Sequence, residues 1–296
     1  MNTDQLGANT SCLAGLSLQE AIEQIRDLGF HGITLLAFAN TRHRYGDLAG
    51  FWFRDMSGVE RQELRGLLSS FDRIVLHAPF AGLPLVAYDP RLEQLAADRV
   101  KESIEAAEYL GARVVIVHAH PRPNFALAEY WDGLVAAFRD LGEYAAPRGV
   151  QLGLETGFPD SVDRFVDLLE AIGHHSVGAT LDCGHMSRYV DSDLWGTPAG
   201  AVQLNAQLID MVRQLGPLTV HCQLHDVELA GWRDHCAVGR GVIEWEPFLA
   251  ALESLDYQGM LEFELEEREG VVALKESKSR IESMIPRLRR PRRRAA

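Results

Sequence analysis

The chain has 296 residues, 47% of them hydrophobic, and a formal net charge of −13 at pH 7. This length is enough to bury a sizeable core, in one large α/β domain or in two smaller ones. The acidic charge lies in residues 1–274, which hold 20 basic and 40 acidic residues. The last 22 residues are basic, with nine basic and two acidic residues. An acidic surface repels phosphates, so we expect no nucleic-acid partner.

No run of about eighteen apolar residues occurs, so we expect no membrane partner. The first residues, MNTDQLGANTSC, lack a basic segment followed by an apolar run and therefore do not predict a signal peptide. The four cysteines are scattered, with no close pair: Cys12, Cys183, Cys222 and Cys236. In a chain of this length they indicate reduced thiols and a cytoplasmic location.

Short apolar runs alternate with longer amphipathic segments along the chain. Predicted strands lie near 4–9, 32–37, 73–77, 113–118, 150–155, 177–182, 218–224 and 259–264. Predicted helices lie between the strands. The first starts at a capping box formed by Ser17 and Glu20, and the others extend over about 58–70, 91–110, 127–147, 161–172, 199–215, 245–256 and 271–285.

Eight strands, each followed by a helix, predict an α/β fold that is a single (β/α)8 TIM barrel over residues 1–274. Residues 275–296 are then the end of the last helix and a basic, disordered tail. A doubly wound open sheet is the main competitor. Its glycine-rich phosphate turn is missing, since only GRG at 239–241 resembles one.

Polar residues recur at the carboxyl ends of the predicted strands. Side chains alternate between the two faces of a strand, and in a parallel barrel one face meets the helices while the other meets the interior. On six strands one parity is apolar and the other ends in a polar residue: His77, His118, Glu155, Asp182, Gln223 and Glu264. Active sites of TIM-barrel enzymes lie at that end, so we predict that these side chains converge.

Three of these six residues are carboxylates, and a buried carboxylate without a partner is strongly destabilising. No lysine lies at a strand end to neutralise them or to form a Schiff base; the lysines are Lys101, Lys275 and Lys278. A single such residue is more often a core hydrogen-bonding group, but six on one parity favour a metal site. Oxygen-rich ligands indicate one divalent ion, Mg²⁺ or Mn²⁺, with Co²⁺ as a further candidate.

Three motifs resemble those of the xylose-isomerase-like TIM barrels: LGLETG (152–157), LDCGHM (181–186) and VGRGVIEWEPFLAALESLDYQGMLEFE (238–264). This superfamily includes sugar isomerases and epimerases, inosose dehydratases, hydroxypyruvate isomerases and endonuclease-IV-type nucleases. The resemblance extends from IVLHAPF at 74–80 to LEFELE at 261–266. It implies the same barrel fold and a metal-dependent enzyme of carbohydrate metabolism.

The resemblance also implies a ligand set. Members of the family bind one metal through a Glu, an Asp, a His or Gln, and a second Glu, which correspond here to Glu155, Asp182, Gln223 and Glu264. Gln223 is assigned by its position three residues before Asp226. Histidine is more usual there, and glutamine resembles the hydroxypyruvate-isomerase branch.

The leading hypothesis is a divalent-metal-dependent isomerase or epimerase of a small sugar or hydroxy-carbonyl compound, acting by enediolate proton transfer. Glu155 and Glu264 would exchange the proton as base and acid. His185 would hold a substrate hydroxyl, and the other substrate-binding candidates are His77, His118, His225 and His235. The expected partner is a small-molecule substrate, and the family resemblance adds a homo-oligomer as an expectation.

The nuclease branch supplies the alternative hypothesis, because it binds three metals through nine ligands. Seven positions match: His77, His118, Glu155, Asp182, His185, His235 and Glu264. Gln223 stands where a histidine is expected and Arg233 where an aspartate is expected, and an arginine there would repel a further cation. The alternative is therefore a metal-dependent phosphodiesterase of the endonuclease-IV-like type that acts on a small molecule and uses Zn²⁺.

Two further questions stay open at the level of the sequence. A barrel that binds a sugar or a metal without turnover is a third hypothesis, although it has no need for the glutamate pair. The aromatic segment HRYGDLAGFWFRD (43–55) is either a lid over the site or a packed surface insertion.

Overall fold

The computed structural model describes residues 1–288. Eight parallel strands close into one barrel in which each strand is hydrogen-bonded to its neighbours in the chain and the last to the first. The strands are β1 (Leu6–Asn9), β2 (Gly32–Leu36), β3 (Arg73–His77), β4 (Val114–Val117), β5 (Gln151–Glu155), β6 (Val177–Asp182), β7 (Thr219–Leu224) and β8 (Leu261–Phe263). This arrangement confirms the predicted TIM barrel.

One helix follows each strand and packs outside the barrel. The helices are α1 (Leu18–Asp27), α2 (Gly58–Leu68), α3 (Pro90–Leu110), α4 (Trp131–Ala145), α5 (Val162–Ile172), α6 (Pro198–Leu215), α7 (Trp245–Ser254) and α8 (Gly270–Leu288). The first begins at the predicted capping box, where the Ser17 hydroxyl accepts from the Glu20 amide and the Ser17 amide donates to the Glu20 carboxylate.

The lower part of the barrel interior is apolar. Val75, Val114, Ile116 and Met260 form a small cluster there, separate from the large core between the strands and the helices. The Met260 sulfur fills space beside two strands, since a Cβ on Gly32 would lie 2.2 Å from it. A side chain at position 32 would therefore displace Met260 from this cluster.

The β7 strand departs from regular alternation. Ala179 pairs with Thr219 and Thr180 pairs with His221, so Val220 is an extra residue in a β-bulge. Strict alternation along the strand would point Val220 toward the helices together with Cys222, but the bulge turns it to the interior, where it packs against the apolar cluster. His221 still faces the interior, and the alternation is regular again up to Gln223.

The carboxyl-terminal helix crosses the predicted boundary between residues 274 and 275. Ser277, Ile281 and Ile285 are buried, so α8 packs against the barrel beyond that boundary. The predicted basic tail falls mostly on residues 289–296, which lie outside the described residues.

The segment 43–55 is packed against the body. Phe51 and Phe53 are buried, and the guanidinium groups of Arg61 and Arg99 lie 4.1 Å and 4.6 Å from the ring centroids of Phe53 and Trp52. These contacts favour the packed insertion over the lid. Within residues 1–288, all four cysteines are buried free thiols, and no helix is both long and apolar enough to cross a bilayer.

Candidate active site

Four of the predicted ligands lie at the carboxyl ends of consecutive or nearby strands. Glu155 ends β5, Asp182 ends β6, Gln223 lies near the end of β7, and Glu264 directly follows β8. The side chains of Glu155, Asp182 and Gln223 are buried, whereas Glu264 is half-buried. The barrel thus brings together the residues that the strand-end pattern selected.

Three histidines surround the Glu155 carboxylate. Its Oε1 lies 2.7 Å from His185 Nδ1, and its Oε2 lies 3.1 Å from His118 Nε2 and 3.3 Å from His77 Nε2. None of these approaches to Oε2 has hydrogen-bond alignment, so that oxygen is buried without a donor. Burial raises the pKa of Glu155, but the histidines lower it, and the resulting pKa is well below its usual range.

The Asp182 carboxylate is held on one oxygen and free on the other. Its Oδ1 accepts from the His185 backbone amide at 2.7 Å and lies 2.7 Å from His225 Nε2. Its Oδ2 is buried and has no donor. Burial raises the pKa of Asp182, but the positive fields of His185 and His225 lower it to about 2.

Glu264 and Gln223 form a hydrogen-bonded pair at the ends of β7 and β8. Gln223 Nε2 donates to Glu264 Oε2, while Asn9 Nδ2 donates to Glu264 Oε1 at 3.0 Å. Gln223 Oε1 is buried without a donor. Burial raises the pKa of Glu264, and the nearby carboxylates, first Glu262 and then Glu155, raise it further, well above its usual range.

These orphaned oxygens test whether the residues fit a cation. Glu155 Oε2, Asp182 Oδ2 and Gln223 Oε1 are acceptors that no protein donor satisfies, and carboxylate and amide oxygens suit hard divalent ions. Among residues 1–288, ligand atoms of Glu155, Asp182 and His185 lie within 4.8 Å of one another. The donor set therefore fits a hard divalent cation.

His225 lies behind the site and not in its cavity. It is fully buried; its Nδ1 accepts from the His235 amide at 2.8 Å, so its proton is on Nε2 and faces Asp182. Gly184 makes this packing feasible, because a Cβ there would lie 2.1 Å from the imidazole ring. The substrate contact by His225 stays a prediction; in this structure the ring packs against the Asp182 carboxylate.

The Asp234 carboxylate lies close to two histidines of the site, His235 and His185. The Asp234 side chain lies 3.5 Å from His235 Nδ1 and 3.8 Å from His185 Nε2, while Arg233 turns toward Glu228 at 3.8 Å. The nuclease pattern expects an aspartate at position 233, where this chain has an arginine. In the structure the adjacent residue, Asp234, brings an acidic group to the site. His235 has φ +58°, a left-handed conformation that is uncommon for residues other than glycine.

The cavity above these residues has a volume of about 560 Å³. Its walls come from loops after β3 to β8: His77, Phe80, His118, Ala119, His120, Pro121, Glu155, Thr156, Gly157, Phe158, His185, Arg188, Asp234, His235, Glu264 and Glu266. Of the predicted substrate-binding residues, four of the five line this cavity. Such a volume is typical of a small-molecule site.

The polar residues near Gln223 and His225 in the segment 220–226 (VHCQLHD) make structural contacts. His221 Nε2 lies 2.5 Å from Glu262 Oε2, inside the barrel. Asp226 Oδ1 accepts from the Ile243 amide at 3.0 Å and its Oδ2 from the Gly239 amide at 2.8 Å, so Asp226 anchors the GRG loop.

Sequence reasoning missed Asn9, Glu262 and Asp234 as parts of the site. Asn9 ends β1 in the same way that Glu155 ends β5, so the strand-end rule applied to the first strand would have selected it. No signal in the sequence selected Asp234, because the nuclease pattern expects its acidic residue at the preceding position, which is Arg233.

Comparison with known proteins assigns the chain to a family. The sequence profile of the family described as "Xylose isomerase-like TIM barrel" matches residues 22–289. The chain therefore belongs to the xylose isomerase-like TIM barrels, as its motifs indicated.

The chain is similar to individual proteins in sequence or in fold. An uncharacterized protein of Methanocaldococcus jannaschii, MJ1311, is 25% identical over 202 residues, which are 64% of this chain and 64% of that protein, slightly under two thirds of its length. A structure of L-ribulose 3-epimerase superposes with a TM-score of 0.75 at 16% identity and covers 98% of this chain and 99% of that chain. The IolI protein, solved with a bound zinc atom, gives a TM-score of 0.71 at 17% identity over 94% and 98% of the two chains.

Proposed function

We propose that this protein is a divalent-metal-dependent isomerase or epimerase of a small sugar or hydroxy-carbonyl compound. The observation that carries the proposal is the set of buried, donor-free oxygens on Glu155, Asp182 and Gln223, of which Glu155 also lines the cavity. A similar barrel fold is found in an L-ribulose 3-epimerase and in a zinc-bound protein, which supports both the reaction class and the metal.

The cation would be held by Glu155, Asp182, Gln223 and Glu264. It would supply Lewis-acid polarisation of a substrate carbonyl and its neighbouring hydroxyl. Mn²⁺, Mg²⁺ and Co²⁺ all suit this oxygen-rich set. Asp182 and Gln223 do not line the cavity, so their role is to hold the ion, whereas Glu155 and Glu264 also face the substrate.

Two glutamates are positioned to move a proton. Glu155 and Glu264 both line the cavity, and their strands β5 and β8 are separated by β6 and β7 in the barrel. They therefore approach a bound substrate from different sides, as an exchange of one proton between two faces of a carbon requires. His185 contacts Glu155 and also lines the cavity, so it is placed to hold a substrate hydroxyl next to that base.

Replacement of Glu264 by glutamine tests the proton transfer. A glutamine oxygen still coordinates a hard cation, but the amide is not a base near neutral pH. We expect Glu264→Gln to keep the fold and most of the metal affinity and to lose a factor on the order of 10²–10⁴ in kcat. The assay is proton NMR of ketopentoses and ketohexoses incubated with Mg²⁺ and enzyme in D₂O, which reports both product and exchanged hydrogen.

Glu269→Gln is the matched control, because Glu269 is exposed at the start of α8 and outside the cavity. It should turn over at the parent rate. If Glu264→Gln does so as well with metal bound, Glu264 is a ligand only and the two-base proposal is wrong.

The second candidate is hydrolysis of a small phosphodiester with Zn²⁺, and one observation favours it. Within residues 1–288, two further groups have ligand atoms within 4.8 Å of one another, His77 with His118 and Glu155, and His185 with His225 and His235. More than one metal is the usual arrangement for such hydrolysis.

Metal stoichiometry separates the two candidates. Dialysed protein with about one equivalent of metal and no cleavage of bis(p-nitrophenyl) phosphate would support the isomerase. Two or three equivalents of zinc together with cleavage of that diester would support the hydrolase.

A further inference from the structure

One arginine lines the cavity of the candidate active site. Arg188 lies in the short 3-10 helix His185–Tyr189 that follows β6. Among residues 1–288 it is the only arginine or lysine in the walls of this cavity. Its side chain is 48% exposed, so the guanidinium is open to any molecule that enters the cavity. The proton transfer and the cation site described above do not use this group.

The fold holds the backbone on both sides of Arg188. Tyr189 is buried, and its hydroxyl accepts from the Gly157 amide at 2.9 Å. Ser187 is also buried, and its carbonyl oxygen accepts from Trp232 Nε1 at 3.2 Å. Because its neighbours are fixed in this way, Arg188 loses little backbone freedom when it binds a ligand.

The guanidinium of Arg188 lies against Gly157, two residues after Glu155. A Cβ on Gly157 would lie 3.0 Å from Arg188 Nη1, and the φ of +120° at this glycine also disfavours a side chain. A side chain at position 157 would therefore displace the guanidinium. The backbone next to the proposed base Glu155 thus leaves room for the arginine in the cavity wall.

The donors of Arg188 are only partly used by the protein. Its Nη2 lies 3.6 Å from Asp234 Oδ2, which is an ionic contact but is long for a hydrogen bond. The Asp234 carboxylate also lies 3.5 Å from His235 Nδ1 and 3.8 Å from His185 Nε2, so it does not depend on the arginine alone. A guanidinium has five N–H donors in a planar fork that matches a carboxylate. Donors of Arg188 are therefore available to a ligand.

A carboxylate suits this arginine better than a phosphate ester. One guanidinium balances the single charge of a carboxylate and can donate to both of its oxygens. A phosphate ester carries up to two negative charges, and the cavity walls already hold four carboxylate side chains: Glu155, Asp234, Glu264 and Glu266. These side chains repel a dianion more strongly than a monoanion.

We propose that Arg188 binds the carboxylate of an acidic sugar, so that the substrate class is a keto-sugar acid and not a neutral ketose. The inference rests on the proposed isomerase or epimerase function. A keto-sugar acid has the carbonyl group and the adjacent C–H bond that an enediolate requires. Its carbonyl end would lie at Glu155 and Glu264, and its carboxylate would lie at Arg188.

Two ligands that differ only at C6 test the role of Arg188. D-Fructose ends in a hydroxymethyl group and D-fructuronate in a carboxylate, and both have their ketone at C2. Each is titrated into the full-length protein with Mg²⁺, and ligand-observed NMR gives its Kd. We expect D-fructuronate to bind about 10–100-fold more tightly, the gain typical of hydrogen bonds to a charged group. Arg188→Met should remove most of this preference.

Two further variants separate ligand binding from a structural role. Asp234→Asn removes the ionic partner of Arg188 and leaves its donors free, so the preference for the acid should persist or rise. Arg91→Met is the matched control, because Arg91 is an exposed arginine that pairs with Asp89 and lies outside the cavity. It should keep the parent preference.

Equal binding of the two ligands, or no binding of either, would overturn the inference. An unchanged preference in Arg188→Met would also overturn it, because another group, such as the metal ion, would then hold the carboxylate. A loss in Asp234→Asn equal to that in Arg188→Met would show that the arginine acts only through Asp234. Tighter binding of D-fructose 6-phosphate than of D-fructuronate would contradict the choice of a carboxylate.

The two proposals fail in different ways. Hydrogen exchange of D-fructose in D₂O, without any preference for D-fructuronate in binding, would contradict the role of Arg188 and leave the isomerase proposal standing. A preference for D-fructuronate that depends on Arg188, without hydrogen exchange in either ligand, would contradict the isomerase reaction and leave Arg188 as a carboxylate-binding residue.

Discussion

Two buried threonines in the barrel interior give opposite predictions for the same substitution. Thr34 and Thr180 are both fully buried on barrel strands. The Thr34 hydroxyl donates to Glu262 Oε2 at 2.5 Å, whereas the Thr180 hydroxyl has no hydrogen-bond partner. Valine has almost the same shape and the same β-branched preference for strands, so Thr→Val isolates the hydroxyl at each position.

The expected magnitudes follow from these partners. A hydrogen bond to a charged group contributes about 1.5–3 kcal/mol to stability. Glu262 keeps two other partners, Asn9 Nδ2 at 2.8 Å and His221 Nε2 at 2.5 Å, so we expect Thr34→Val to lower the free energy of unfolding by about 2 kcal/mol. Thr180→Val removes an unsatisfied buried hydroxyl and should be neutral or stabilising by about 1 kcal/mol.

Urea unfolding of both variants in EDTA measures the difference without a contribution from bound metal. The midpoint of Thr34→Val should fall and that of Thr180→Val should not, with unchanged slopes in both. Equal destabilisation of the two variants, or a larger loss in Thr180→Val, would refute the reasoning, because it would show that the hydroxyl contacts do not determine stability here.

Three further predictions concern the metal. His225→Ala should weaken Mn²⁺ binding by about 10–100-fold, because it removes the group that orients Asp182, and calorimetric titration measures the change. Gln223→Ala should also weaken Mn²⁺ binding, whereas His221→Ala should leave the affinity near the parent value, and an equal loss in both would contradict the assignment. Removal of metal with EDTA should lower the melting temperature, since a cation at 100 times its Kd stabilises the folded state by about 2.7 kcal/mol, and an unchanged temperature would contradict a folded-state metal site.

The barrel could be predicted from the sequence because its signals are local. Each strand is a short apolar run between turn residues, and each helix carries its own periodicity and often its own cap, as at Ser17. The convergence of Glu155, Asp182 and Glu264 also followed, because the carboxyl ends of all strands in a parallel barrel lie on one face.

Other parts of the site depended on contacts between distant segments. Asn9 contacts Glu262 and Glu264, which lie more than 250 residues later, and only the closure of β8 against β1 brings them together. The position of the His225 ring behind Asp182 depends on the absence of a side chain at Gly184. A rule of strict alternation cannot predict the bulge at Val220 either, because a bulge adds one residue to the strand.

The hydrogen bonds of the buried carboxylates explain why we expect a cation at the carboxyl end of the barrel and not in the middle of its interior. Glu262 lies in the middle of the interior, and both its oxygens have protein partners, from Asn9, Thr34 and His221. Glu155 and Asp182 lie at the carboxyl end, and each keeps one buried oxygen without a donor. An unsatisfied buried carboxylate oxygen is destabilising. The fold satisfies both oxygens of Glu262, whereas the carboxyl end of the barrel presents unsatisfied oxygens, which is why we expect a cation there.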